Sequence, residues 1–572
     1  MTKSDKCRTM TGGQAAIESL QHESVSHVFG LIGSATMEMF DALYEASDIA
    51  FIGVHDERTG THMADGFARA SGKSGVILAG QNGPGATNLV TGLAQAKAAF
   101  SPVISLAGAL STAHHYKDAF QEVDQEALFR PVTKQTWNVP STERVQDILT
   151  DAFRVAHAPR KGPVHVNLPR DVLAGQAEYR PLPPVSAYRG PSAAAPAQDA
   201  LRQAAHMLRH AKRPVIIAGG GIKNERAEKA ALGLASAFHC PIVTSPGHGD
   251  ALGFGHPLNA GQMGPRGNEV ASRLVRQADV ILALGTRLGF NSTFFSYDNI
   301  NEEADIIHIE QEPTAIGRYF PVALGIVADA PSAAIMLTDL IENQAQKDEA
   351  KAWTDAYLAE RQAFLAKRDE SALSLAEAEL IQPAALYHTL RGCLPENAAI
   401  TMDAGTLCLQ ATDNLNYHQA GSLFTPLDFG LVGFSFACGL GVKLANPERP
   451  VISLMGDGGF GMTVSELSCA VDHGINTVTI VMNNQCWGAE KAYQRDFFGE
   501  RYIGANISSP PFDKLAELYG AVGYRATSLS QVSEAVSAAL GQDKPCVIDV
   551  SVDPAALYSF RRDSFAHRAK LG

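Results

Sequence analysis

The chain has 572 residues, 45% hydrophobic and 19% charged, with a formal net charge of −13. That length exceeds what one hydrophobic core holds, so several domains are expected. The negative balance argues against nucleic acid or an anionic membrane as the main partner.

No run approaches the roughly 18 apolar residues needed to cross a bilayer. The start, MTKSDKCRTMTGGQ, lacks the apolar core of a signal peptide. The cysteines (Cys7, Cys240, Cys393, Cys408, Cys438, Cys469, Cys486, Cys546) are scattered without a CxxC, so neither a zinc site nor a disulfide framework is indicated. A reducing cytoplasm is the expected location.

Three α/β blocks follow one another. The first, 1–175, has strand candidates HVFGLI, GVILAG, PVISLAG and PVHVNL. The stretch QAEYRPLPPVSAYRGPSAAAPAQ is rich in Pro and Ala and reads as an extended linker. The second block, 199–343, has RPVIIAGGGI, CPIVTS, DVILALGTRL and ADIIHIE alternating with helical stretches. Its AGGGI and GTRL turns are weak evidence for a nucleotide, and none is assigned. QAQKDEAKAWTDAYLAERQAFLAKRDE reads as a helical connector. The third block, 380–555, has NAAITMDAG, PVISLMG, NTVTIVMNN and PCVIDVSV, and a tail, 556–572, follows. Strands this apolar are covered on both faces, which points to parallel sheets. The expected fold is α/β, with three doubly wound parallel-sheet domains.

Within the third block, LMGDGGF sets Asp457 between glycines directly after an apolar strand. A helix, TVSELSCAVDHG, leads to the strand NTVTIVM and then to Asn483–Asn484. In a βαβ unit both strand ends emerge on the same sheet edge, where such folds bind ligands. Asp457 and Asn484 then offer two hard oxygen ligands for a Mg²⁺ shared with phosphates. The glycine turn and the helix start after it add N–H groups for the same phosphates.

The arrangement of GDG, 24 residues and NN, with a strand before each half, resembles the signature of thiamine diphosphate enzymes. The stretch HDERTGTHMADGFARASGKSGVILAGQNGPGATN is similar to the pyrimidine-binding half of the acetolactate synthase group. The resemblance implies thiamine diphosphate and Mg²⁺ as cofactors. Asp457, Asn484 and the carbonyl of Cys486 would be the metal ligands. Gly456, Gly458, Gly459, Gly405, Thr406, Leu407 and Trp487 would lie along the cofactor, with Val432 as the apolar wedge that bends it into a V. Glu57 would be the catalytic acid on the aminopyrimidine, with Gln121 an active-site glutamine. The blocks become the pyrimidine-binding, middle and diphosphate-binding domains. The two halves of each site come from different chains in this family, so a homodimer or homotetramer is implied.

GLIGSA, GQNGPG, FQEVDQ, ALGTRL, WGAEK and FRRD together resemble the sulfoacetaldehyde acetyltransferases, which convert sulfoacetaldehyde and phosphate to acetyl phosphate and sulfite. Gly33 and Ser34, in the first of these stretches, are candidate substrate-binding residues. A sulfonate and a phosphate both need fixed cations, and Lys491, Arg561 and Arg562 are the candidates, with Arg495 beside them. The tail would fold over the site. LSTAHHYKDAF departs from that pattern, and its His114–His115 resemble the paired histidines of pyruvate-decarboxylase-like enzymes; His115 is therefore a candidate proton carrier. The alternative is an acetolactate-synthase-like carboligase or decarboxylase acting on a 2-oxo acid.

Overall fold

The structure is a computed structural model that describes residues 7–190, 194–341 and 347–558. It holds three six-stranded sheets whose strands are all parallel, with helices between successive strands. In the first sheet the strands lie side by side as Ala50–Gly53, His27–Leu31, Gly75–Ala79, Val103–Ala109, Val164–Pro169 and Thr136–Asn138. The third repeats that order with Leu423–Phe424, Ala399–Met402, Val451–Gly456, Val478–Asn483, Cys546–Ser551 and Val522–Ala526. The middle sheet differs: Asn259–Gln262, Ile242–Thr244, Pro214–Ala218, Val280–Leu284, Asp305–Glu310 and Leu324–Val327 follow the Rossmann order.

The stretch expected as a linker begins instead with a strand. Gln176–Tyr179 pairs antiparallel with Arg8–Thr11 and so ties the end of the first domain to its start. Its Ala177 and Tyr179 face the core and its Gln176 and Glu178 face out, an alternation too short to stand out beside the prolines that follow. The connector runs as one helix, Asp348–Leu373.

The first and third domains share a core. The Glu57–Ser71 helix buries almost its whole circumference, and its Met63, Ala64 and Phe67 belong to one apolar cluster with Phe436, Ala437 and Leu440 of the Ser435–Ala445 helix. The two helices touch backbone to backbone through glycines. A Cβ at Gly66 would lie 2.2 Å from the carbonyl oxygen of Cys438, and one at Gly441 would lie 1.9 Å from that of Met63. These two contacts run in opposite chain directions, so the helices are antiparallel. Gly441→Ala forces the helices apart and is expected to cost about 1–3 kcal/mol, the usual range for overpacking. Denaturant unfolding measures it, and an unchanged midpoint would contradict the contact.

Among the described residues no helix is long and apolar enough to cross a membrane. No cysteine forms a disulfide: all eight are free, and only Cys7 is exposed.

Candidate functional site

A cavity of about 520 Å³ opens where the strand order of the third sheet reverses, between Ala399–Met402 and Val451–Gly456. That is where doubly wound sheets leave a crevice beyond their strand ends. Two helices of useful length start at its wall. Thr406–Asn414 begins after Gly405, whose φ of 118° suits glycine and where an added Cβ would meet nothing within 4 Å. Gly488–Phe497 begins after Trp487. Neither start carries a side-chain cap, so their first N–H groups remain available for an anion.

Asp457 lies on the same wall, buried, with Ser509 Oγ donating to its Oδ2 at 2.6 Å. Burial raises its pKa, with the Ser509 hydrogen bond opposing, so a cation beside it would relieve the penalty. Asn484 and Cys486 line the cavity one strand further on. Burial pushes the Cys486 thiol up to about 11, which leaves its backbone carbonyl as the harder ligand. Gly456, Gly459, Thr406, Leu407 and Val432 also line the cavity. Gly458 is pinned beneath Trp487, whose ring a Cβ would meet at 2.5 Å.

A second cluster occupies the edge of the first sheet. Glu57 opens its helix, buried, and Asn88 Nδ2 donates to its Oε2 at 2.9 Å. Gly85 leaves room for the other oxygen, since a Cβ there would lie 3.0 Å from Oε1. Gln121 sits in the left-handed region at φ 64°. Gln81 donates to its side chain, and Asn82 Nδ2 donates to its carbonyl at 3.1 Å. Ser34 Oγ donates to Gln81 Oε1 at 3.1 Å, while Gly33 lies so close to Gly80 that a Cβ would reach the carbonyl carbon at 2.4 Å. The neighbouring loop is held by Glu122, which accepts from the N–H groups of Tyr116 at 2.6 Å and Ala119 at 3.0 Å. His115 in that loop is hydrogen-bonded through Nε2 to the Leu110 carbonyl at 3.3 Å.

The two clusters do not meet within the chain. Among the described residues, none that lines the cavity comes from the first domain. The antiparallel helices explain the separation. Glu57 stands nine residues before Gly66, and Ser435 three before Cys438, on opposite sides of the crossing. At 1.5 Å per residue the two helix starts are about 18 Å apart along the axis.

Comparison with known proteins interprets both clusters. Residues 10–128 match the N-terminal TPP binding domain of thiamine pyrophosphate enzymes, 201–337 the central domain, and 403–550 the C-terminal TPP binding domain. The chain is 32% identical to the sulfoacetaldehyde acetyltransferase of Alcaligenes xylosoxydans xylosoxydans, over 98% of this chain and 96% of that protein. It is 33% identical to a probable acetolactate synthase large subunit of Methanocaldococcus jannaschii, over 96% and 92%. To the acetolactate synthase isozyme 3 large subunit of Escherichia coli K12 it is 31% identical, over 95% of each chain. The chain belongs to the thiamine diphosphate enzymes.

The described residues fit that cofactor. Uncapped helix starts and an open glycine suit a diphosphate, and one buried carboxylate with an amide and a carbonyl suits a Mg²⁺ that takes its remaining oxygens from phosphate and water. No group of three or more His, Cys, Asp or Glu that could hold a metal by itself occurs among the described residues.

The cations expected to hold the substrate anions do not line the cavity wall among the described residues. Lys491 does not line it; its ammonium lies over the Tyr502 ring, 5.6 Å from the centroid. Arg495 bonds Asp496 Oδ1 at 2.8 Å and the Leu557 carbonyl at 3.3 Å. Arg561 and Arg562 lie outside the described residues. The cations on the wall come from the middle domain. Arg266 donates to Asn291 Oδ1 at 3.2 Å, and Arg287 pairs with Asp428 at 3.0 Å. Sequence reasoning did not find them, because nothing local marks which middle-domain loop reaches the third domain. It also passed over Asp403, although TMDAGTL contains it. Asp403 lines the cavity, and burial pushes its pKa up to about 6 against the backbone hydrogen bonds it accepts. The AGGGI and GTRL turns border an adjoining cavity of about 580 Å³ that shares Arg287 and Asp428 with the first and is also lined by Arg69, Arg160 and Arg226.

Proposed function

We propose that this thiamine diphosphate enzyme converts sulfoacetaldehyde and phosphate to acetyl phosphate and sulfite. The observation that carries the reading is a cavity that sets two middle-domain arginines, Arg266 and Arg287, beside the diphosphate pocket of a chain similar end to end to sulfoacetaldehyde acetyltransferases. Arginine's planar fork matches tetrahedral oxyanions, and this reaction handles two of them. Atoms balance without an added oxidant: the aldehyde carbon is oxidised to the acyl level while the carbon losing sulfite is reduced to a methyl group.

Thiamine diphosphate, when bound, supplies the nucleophilic carbon and the electron sink that no side chain of the protein provides. The protein's part is positioning, charge and proton movement. Glu57 would hold the proton for the aminopyrimidine of the bound cofactor, and Asn88 fixes the orientation of its carboxyl group. Asp457, Asn484 and the Cys486 carbonyl would hold the Mg²⁺ that neutralises the diphosphate. Gln121, braced by Gln81, offers a side-chain amide to the reacting carbonyl. His115, Gly33 and Ser34 lie on the same sheet edge. Because Glu57 and the diphosphate cavity are apart in one chain, each site takes Glu57 from one subunit and Asp457 from another, so the least working unit is a homodimer.

A second reading remains specific enough to test. The likeness to acetolactate synthases is as extensive, and a 2-oxo acid also carries an anionic group for Arg266. Incubation of holoenzyme with sulfoacetaldehyde and phosphate is expected to release sulfite and acetyl phosphate in equal amounts. Release of CO₂ from pyruvate, with no sulfite from sulfoacetaldehyde, would replace the first reading with the second.

A further inference from the structure

We propose that Asp403 is a positioning residue: its carboxylate fixes Val432 relative to the Asp457–Gly459 turn and thereby sets the shape that the cavity imposes on its cofactor. The inference rests on the thiamine diphosphate reading of the cavity, not on the identity of the acyl donor.

Asp403 stands at the end of the Ala399–Met402 strand, only 4% exposed. Its two oxygens take two successive N–H groups: Oδ2 accepts from Gly433 at 2.9 Å and Oδ1 from Phe434 at 3.0 Å. These are the residues directly after Val432, which lines the cavity. Gly433 has φ 82°, so the chain turns sharply there before the Ser435–Ala445 helix, and the carboxylate holds that turn closed. On its other side the same Oδ2 bears on the glycine turn, since a Cβ on Gly459 would lie 2.1 Å from it. The Asp403 N–H bonds the Leu454 carbonyl at 3.1 Å, which ties the residue to the strand that feeds that turn. One charge thus touches both walls of the cavity. The start of the Ser435–Ala445 helix, with its partial positive charge, offsets the cost of burying the carboxylate.

Asparagine keeps the shape but replaces one accepting oxygen with an NH₂ that faces a backbone N–H. Asp403→Asn should therefore free Val432 without emptying the site. The test uses Trp487, which lines the cavity, as a fluorescent reporter of thiamine diphosphate and Mg²⁺ binding, and follows C2–H/D exchange of the bound cofactor. Neither readout needs a substrate, so failure of the sulfoacetaldehyde reading leaves both intact. Asp403→Asn is expected to bind cofactor within about threefold of wild type but to slow exchange about tenfold or more, the scale of one lost hydrogen bond to a charged group. In a Val432→Ala background the same substitution should add little, because the side chain it positions is gone. Where Asp403→Asn does not fold, Gly433→Ala strains the same turn at a residue that does not line the cavity and must give the same pattern. Wild-type exchange in a folded variant, or costs that add fully with Val432→Ala, would overturn the proposal.

Discussion

Glu57→Gln is expected to bind thiamine diphosphate and Mg²⁺ as the wild type does and to lose at least about 10²-fold in activity, or roughly 3 kcal/mol of barrier. The side chain is buried at the start of its helix, one oxygen held by Asn88 and the other facing the space that Gly85 leaves. Glutamine fills the same volume and can still hydrogen-bond, so the cofactor keeps its seat. It cannot deliver a proton, and that step alone should fail. C2–H/D exchange in the bound cofactor isolates it. Near-normal exchange would show that Glu57 is only a buried polar residue at a helix start.

Asp457→Ala should fail earlier, at binding. The substitution removes the one carboxylate among the proposed metal ligands and leaves the diphosphate's negative charge uncompensated in a pocket where charges interact strongly. Two controls separate this from misfolding. Its side-chain hydrogen bond is to Ser509, and its other partners are backbone N–H groups at the turn and at Asn484, so thermal unfolding of the apoprotein should stay close to wild type. Asp457→Asn should recover part of the affinity, since an amide oxygen can still coordinate. A variant at position 457 that titrates with thiamine diphosphate and Mg²⁺ like the wild type would refute the metal assignment.

The sequence showed the middle of each sheet and hid its edges. All four central strands of every sheet stand out as apolar runs, for example PVISLMG and DVILALG, because both of their faces are covered. Neither edge strand of any sheet was legible. Leu423–Phe424 has two residues, Thr136–Asn138 has three, and Val522–Ala526 carries an exposed arginine, Arg525. Strands with one open side need little apolar surface.

The site divides along similar lines. Asp457 and Asn484 were readable because strand ends place them without help from distant residues. Asp403 acts on Gly433, thirty residues on, and Arg266 and Arg287 reach the cavity from another domain; neither relation leaves a local pattern. Lys491 lies off the cavity wall for a geometric reason. The Gly488–Phe497 helix directs its start at the cavity, so a side chain one turn in lies over Tyr502 instead.

The glycine contact between the Glu57–Ser71 and Ser435–Ala445 helices leaves no slack for Glu57 to swing toward its own chain's diphosphate. With each site shared between two subunits, as proposed, the two defects above are separable by subunit. Unfolded and refolded together, chains carrying Glu57→Gln and chains carrying Asp457→Ala would reassort into mixed dimers. Each mixed dimer has one site doubly broken and the other wholly intact. Two inactive preparations would then complement each other, and equal random mixing would restore about a quarter of wild-type turnover. Had the helices been free to slide, each chain could serve itself and the mixture would stay silent.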